Sequence, residues 1–99
     1  MDRKTIRELE RLRTSVTAAD RVKFGQVMVR HFNHVPSDFR KKLSFDNLAW
    51  VYHESCQQAW DATDHKQWKK VRRYAIIVND VLQAMRVKAR HSKRYSLTF

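Results

Sequence analysis

The chain has one cysteine, one proline and one glycine in 99 residues, and less than half as many acidic as basic side chains. Each scarcity excludes something. A lone cysteine, Cys56, makes no internal disulfide, so the fold rests on a packed core; this usage fits a reducing compartment. One glycine and one proline are too few turn formers for the many corners of an all-β fold. They also leave no glycine-rich loop to cradle a phosphate or a dinucleotide. Acidic residues number 10 against 21 lysines and arginines, a formal net charge of +11. Long apolar runs are missing too. The longest is Ala75-Ile76-Ile77-Val78, whereas a membrane span needs about 20 residues. The opening Met1-Asp2-Arg3-Lys4-Thr5 leads into no apolar stretch, so no signal peptide is expected. The reading is a cytoplasmic protein without a membrane segment.

What is present is apolar and aromatic enough to fold. Hydrophobic residues make up 42% and include 3 Trp, 3 Tyr and 5 Phe, which separates the chain from disordered basic tails. No repeat or linker divides it. The expectation is one all-α domain over residues 1–91, a small bundle of about four helices. The last helix should be long and central, followed by a basic tail over 92–99.

Capping signals and apolar spacing place the helices. Asp2 can cap a helix over 3–13 whose stripe is Ile6, Leu9 and Leu12. That stripe is narrow, so the helix should lie on the outside. Thr17 and Asp20 approximate a capping box for a helix over 18–33, with Val22, Phe24, Val27, Met28, Val29 and Phe32 on a wide face. Gly25 inside it costs about 1 kcal/mol relative to Ala and marks a close helix crossing. Pro36 ends this region. A short turn over 38–43 precedes a helix over 47–62, capped by Ser44 or Asp46, with Leu48, Val51, Tyr52, Ser55, Cys56 and Ala59 inward. The last helix, over 65–90, takes Asp64 as cap and Gln67 as the reciprocal partner. Trp68, Val71, Ala75, Val78, Leu82, Met85 and Ala89 form an a/d seam across three heptads. A second stripe, Tyr74, Ile77 and Val81, runs beside it and makes a second copy of the chain a candidate partner.

The charge is concentrated. Residues 1–36 hold 8 basic and 4 acidic side chains, 37–64 hold 3 and 5, and 65–99 hold 10 and 1. Lys66, Lys69, Lys70, Arg72 and Arg73 crowd the start of the last helix. Arg86, Lys88, Arg90, Lys93 and Arg94, with His91, crowd its end and the tail. Cations at a helix C-terminus suit the macrodipole, whereas cations at an N-terminus oppose it. The first group therefore calls for a partner. The ten lysines and arginines are candidate phosphate contacts for DNA or RNA, with sequence-independent, salt-sensitive binding. The alternative is a modulator that docks on an acidic surface of a larger, DNA-acting enzyme, with Trp50 or Trp60 as anchor. Trp68 beside Lys69 and Lys70 has the composition of a base-stacking platform, but the seam assigns it to the interior.

Other chemistries find little support. His31 and His34, and His53 and Cys56, have spacings that place two ligands on one helix face, yet the several cysteines and tight loops of structural zinc sites are missing. His53, Glu54 and Cys56 lack an evident thiolate-stabilising environment. Asp61 and Asp64 read as helix-end charges. The stretch between Asn33 and Asp46 is too long for the turn of a helix-turn-helix. No catalytic residue, metal or cofactor is expected.

Overall fold

A computed structural model describes residues 1–91. It contains α1 (Arg3–Thr14), α2 (Ala18–Arg30), a 3-10 turn (Phe32–His34), α3 (Ser37–Lys41), α4 (Phe45–Asp64) and α5 (Trp68–Arg90). Four of the five α-helices are long, and there is no strand among the described residues. The tail over 92–99 lies outside them. No helix among the described residues is long and apolar enough to cross a membrane.

The caps follow the residues that make them. Asp2 accepts from the Thr5 N–H at 2.8 Å, and Thr17 accepts from the Asp20 N–H at 3.2 Å. Asp20 does not return the bond. Its carboxylate is one atom shorter than that of Glu, and it binds the Ser15 hydroxyl at 2.7 Å instead. At α4 the box is complete: Ser44 accepts from Asn47 N–H while the Asn47 side chain accepts from Ser44 N–H. Asn47 also donates to the Arg13 carbonyl at 3.0 Å, tying the end of α1 to the start of α4.

One core joins the helices. Leu9 and Leu12 of α1, Phe24, Val27 and Met28 of α2, Phe39, Leu43, Leu48 and Val51 around the α3–α4 corner, and Ile77, Val81 and Met85 of α5 are all buried. Each such side chain contributes about 1.5–3 kcal/mol by leaving water. Helix α4 packs against α2 on one side and α5 on another. The α2–α4 crossing is close because Gly25 faces the α4 backbone. A Cβ there would lie 2.8 Å from the Trp50 carbonyl oxygen and 3.2 Å from Glu54 Cβ.

Two expectations for α5 are corrected. Its buried face is the stripe of Ile77, Val81 and Met85, with Tyr74 and Ala84 packed beside it. Apart from Met85, the a/d seam is rotated to the flank, where Val71, Val78 and Leu82 are half-buried and Ala75 is exposed. A heptad pattern locates a stripe to within about one residue. The neighbouring helices decide which edge of that stripe meets the core. The start of α5 is also shifted: α4 continues through Asp64, and neither Asp64 nor Gln67 gives a side-chain cap to α5. The connection is a Schellman motif, with Gln67 N–H bonding Ala62 C=O at 2.8 Å and Lys66 N–H bonding Thr63 C=O at 3.0 Å. This requires a left-handed residue, and Lys66 supplies it at φ 55°. A motif that usually uses glycine at this position is hard to see in a sequence that has lysine there.

Glu8, Glu10 and Asp20 hold α1. Glu8 pairs with Lys23 of α2 at 2.8 Å, and Glu10 with Arg13 at 2.9 Å and with Lys42 at 3.1 Å. Asp20 meets Arg11 at 3.5 Å. The hydrogen bonds from Lys23 and from Lys42 and Arg13 hold Glu8 and Glu10 below the ordinary carboxylate range. Ser15 does the same for Asp20, and the Thr5 N–H for Asp2.

Three outcomes follow from this packing. Gly25→Ala is expected to lose about 2 kcal/mol in urea unfolding, because overpacking against a backbone carbonyl outweighs the gain in helix propensity. Lys66→Gly is expected to gain about 1 kcal/mol, since glycine removes the left-handed penalty of a side chain. Carboxylates whose folded pKa is depressed stabilise the fold above their unfolded pKa and lose that contribution as pH falls through the folded value. Urea midpoints should therefore hold steady from pH 7 to about 5 and drop below about 4.5. The double variant Glu8→Gln/Glu10→Gln should start lower at pH 7 and fall less by pH 3.

Candidate nucleic-acid interface

The basic residues divide into two groups once placed on α5. Lys69, Lys70, Arg72 and Arg73 occupy its first two turns, and Lys66 lies in the turn before; all five are exposed. The first turn contains no acidic residue and has no side-chain cap. Among the described residues no carboxylate pairs with any of the five. The macrodipole adds its own positive end at the same place.

Arg73 is the member with a second contact. Its guanidinium donates to the Arg30 carbonyl at 3.2 Å, at the C-terminus of α2, and lies 5.8 Å from the centre of the Tyr74 ring. It forms the wall between two clefts. One, of about 250 Å³, is lined by Asn33, Lys69, Arg72, Arg73, Ile76 and Ile77. The other, of about 440 Å³, lies where α2, α4 and α5 meet and is lined by Gln26, Arg30, Glu54, Gln58, Arg73 and Tyr74, with Val29. Glu54 is buried there and accepts from Gln58 Nε2 at 2.9 Å. Arg30 and Asn33 thus join the basic face from a different part of the chain. Sequence reasoning missed them because only the packing of α2 and α5 on the same helix, α4, brings them there. The one local signal was a basic residue in the last turn of α2.

The second group stands apart. Lys69 and Arg90 are separated by about 31 Å along the helix. Lys88 is half-buried and donates to the Lys41 carbonyl at 3.1 Å, closing the end of α3. Arg86 is half-buried and Arg90 exposed. Lys93 and Arg94 lie outside the described residues. Between the groups α5 carries exposed Ile76 and one carboxylate, Asp80, and Val87 is exposed within the second group.

The tryptophans separate in the same way. Trp50 is half-buried and meets the His53 ring edge-on, with 6.2 Å between centroids. Trp60 is 75% exposed and Trp68 62% exposed. The seam assignment of Trp68 to the interior is therefore corrected. Along α5 the enclosed face runs from Tyr74 onward, and Trp68 lies before it, outside the core cluster.

The remaining chemistry-bearing residues do not assemble. Among the described residues no three His, Cys, Asp or Glu side chains converge as metal ligands would. Cys56 is half-buried, and its thiol, interacting with the Tyr52 hydroxyl, pushes that phenol above its ordinary pKa. His65 bonds the Asp61 carbonyl through Nδ1 at 2.8 Å and lies 3.6 Å from its carboxylate, an exposed helix-end contact. Comparison with protein-family models, curated proteins and solved structures gives no match.

Proposed function

We propose that this protein binds nucleic acid through the phosphate backbone, using the N-terminal half of α5 as its contact face and acting as an accessory or regulatory protein rather than an enzyme. One observation carries the reading. Five cations crowd a helix N-terminus where the macrodipole opposes them, and no carboxylate of the described residues compensates them. In the first half of the chain Arg11, Arg13, Lys23 and Lys42 each meet a carboxylate, Asp20, Glu8 or Glu10.

The mechanism is electrostatic. Lys69, Lys70 and Arg72 replace the counterions condensed on the phosphates, and release of those ions drives association. Arg73, held against the Arg30 carbonyl, sets the edge of the face. Such contacts position the protein without reading bases. The alternative, a modulator docked on an acidic protein surface, is favoured by the exposure of Trp60 but not by the half-buried Trp50.

The triple reversal Lys69→Glu/Lys70→Glu/Arg72→Glu tests the reading. Affinity for an oligonucleotide at about 0.1 M salt should fall at least about tenfold, and the slope of log affinity against log salt should become shallower by roughly three. Thermal stability of the same variant should rise, because acidic residues in a first turn agree with the macrodipole. Reversal of Arg3 and Lys4 on α1 is the control and should change affinity less than about twofold. Unchanged binding by the triple variant would refute the proposal and leave the protein-surface alternative in its place.

A further inference from the structure

The turn between α4 and α5 exposes two indoles beside a group of lysines. Trp60, in the last turns of α4, is 75% exposed, and Trp68, the first residue of α5, is 62% exposed. Only seven residues separate them, and the Schellman motif at Lys66 turns the chain so that both lie at one end of the hairpin. Neither belongs to the core cluster. Large aromatic side chains left in water at one place are a costly use of apolar surface, and such patches mark recognition sites.

Their surroundings narrow the partner. Lys66, Lys69 and Lys70 flank Trp68 along the chain, exposed and without a carboxylate partner among the described residues. The N-terminus of α5 adds first-turn N–H groups that no side chain caps. Asp61 and Asp64 end α4 at the same tip, where the His65 ring folds back on the Asp61 carbonyl through Nδ1. Aromatic faces interleaved with cations match a polymer in which flat bases alternate with phosphates. A duplex hides its base faces inside the stack, whereas a single strand offers them.

We infer that the α4–α5 tip is a stacking platform for unpaired bases, with Trp60 and Trp68 taking bases and Lys66, Lys69 and Lys70 taking the intervening phosphates. The inference rests on the nucleic-acid reading above and narrows it to single-stranded DNA or RNA. Recognition is tolerant of sequence, since every base has a face to stack.

The test compares the whole protein with the double variant Trp60→Ala/Trp68→Ala, on a labelled oligothymidylate and on a duplex of equal length, each across a salt series. Both positions are exposed and helical, so alanine preserves the fold; circular dichroism checks this. The single strand should bind tighter than the duplex and quench indole emission. The double variant, whose one remaining indole is Trp50, should lose the quenching. It should also lose about 5- to 150-fold in single-strand affinity per indole, with duplex affinity and both salt slopes unchanged. Equal affinity for strand and duplex, or a double variant that binds the strand like the parent, would overturn the inference. In that case a salt slope that still responds to Lys69→Glu/Lys70→Glu/Arg72→Glu would leave the phosphate reading intact. Anionic phospholipid vesicles that blue-shift the indoles while the oligonucleotide does not would also overturn it, and would assign the tip to a membrane surface.

Discussion

The distance between α2 and α4 is set by the contact of Gly25 with the carbonyl of Trp50, and much of the remaining architecture depends on it. With no side chain at that point, the α2 backbone comes down onto α4 until a Cβ would be 2.8 Å from the carbonyl oxygen. Phe24, Val27 and Met28 then reach Leu48 and Val51, and α4 keeps a free side for α5. The same approach carries the end of α2 to the first turns of α5, where the Arg30 carbonyl receives Arg73. A helix interior accepts glycine at a cost of about 1 kcal/mol, which close packing on both sides of the crossing offsets.

Charge is distributed by a second constraint, the small number of carboxylates. Three of the 10 acidic residues, Glu8, Glu10 and Asp20, bind α1 to α2 and to the start of the α4 region. Such solvent-screened surface pairs individually add little to stability. Their larger effect here is on the field of the molecule: positive charge on α1 is partly neutralised, while at the start of α5 it is left open. The helix that contributes Ile77, Val81 and Met85 to the core therefore presents a cationic surface without ion pairs on its first two turns.

The α4–α5 hairpin tip combines features that isolated helices would avoid. Aspartates end α4 and lysines begin α5, each opposing its own macrodipole. Lys66 adopts a left-handed backbone, and two indoles stay in water. These are local costs in stability carried by a hairpin whose core contacts lie further along both helices, at Val51, Ile77 and Val81. A tip relieved of them would be more stable and, on the reading proposed above, unable to hold an anionic strand.

Much of the fold was legible because it follows from local rules. Asp2, Thr17 and Ser44 announce their helices through short-range hydrogen bonds, and Gly25 announces its crossing through the absence of a side chain. The excess of cations over residues 65–99 is likewise a property of the chain alone. Three features were settled by tertiary structure. The first is which stripe of α5 faces the core, since a period of 3.6 fixes spacing but not rotation. The second is the end of α4, where a lysine stands in a position that sequence statistics reserve for glycine. The third is the membership of the basic face. Sequence order joins Lys69 to Lys88, yet about 29 Å of helix separates them, and Lys88 is bound to the end of α3. Packing instead brings Arg30 and Asn33 to Arg73. Composition and local hydrogen bonding determined the helices and the sign of the surface, while rotation, exposure and neighbours depended on which helices met.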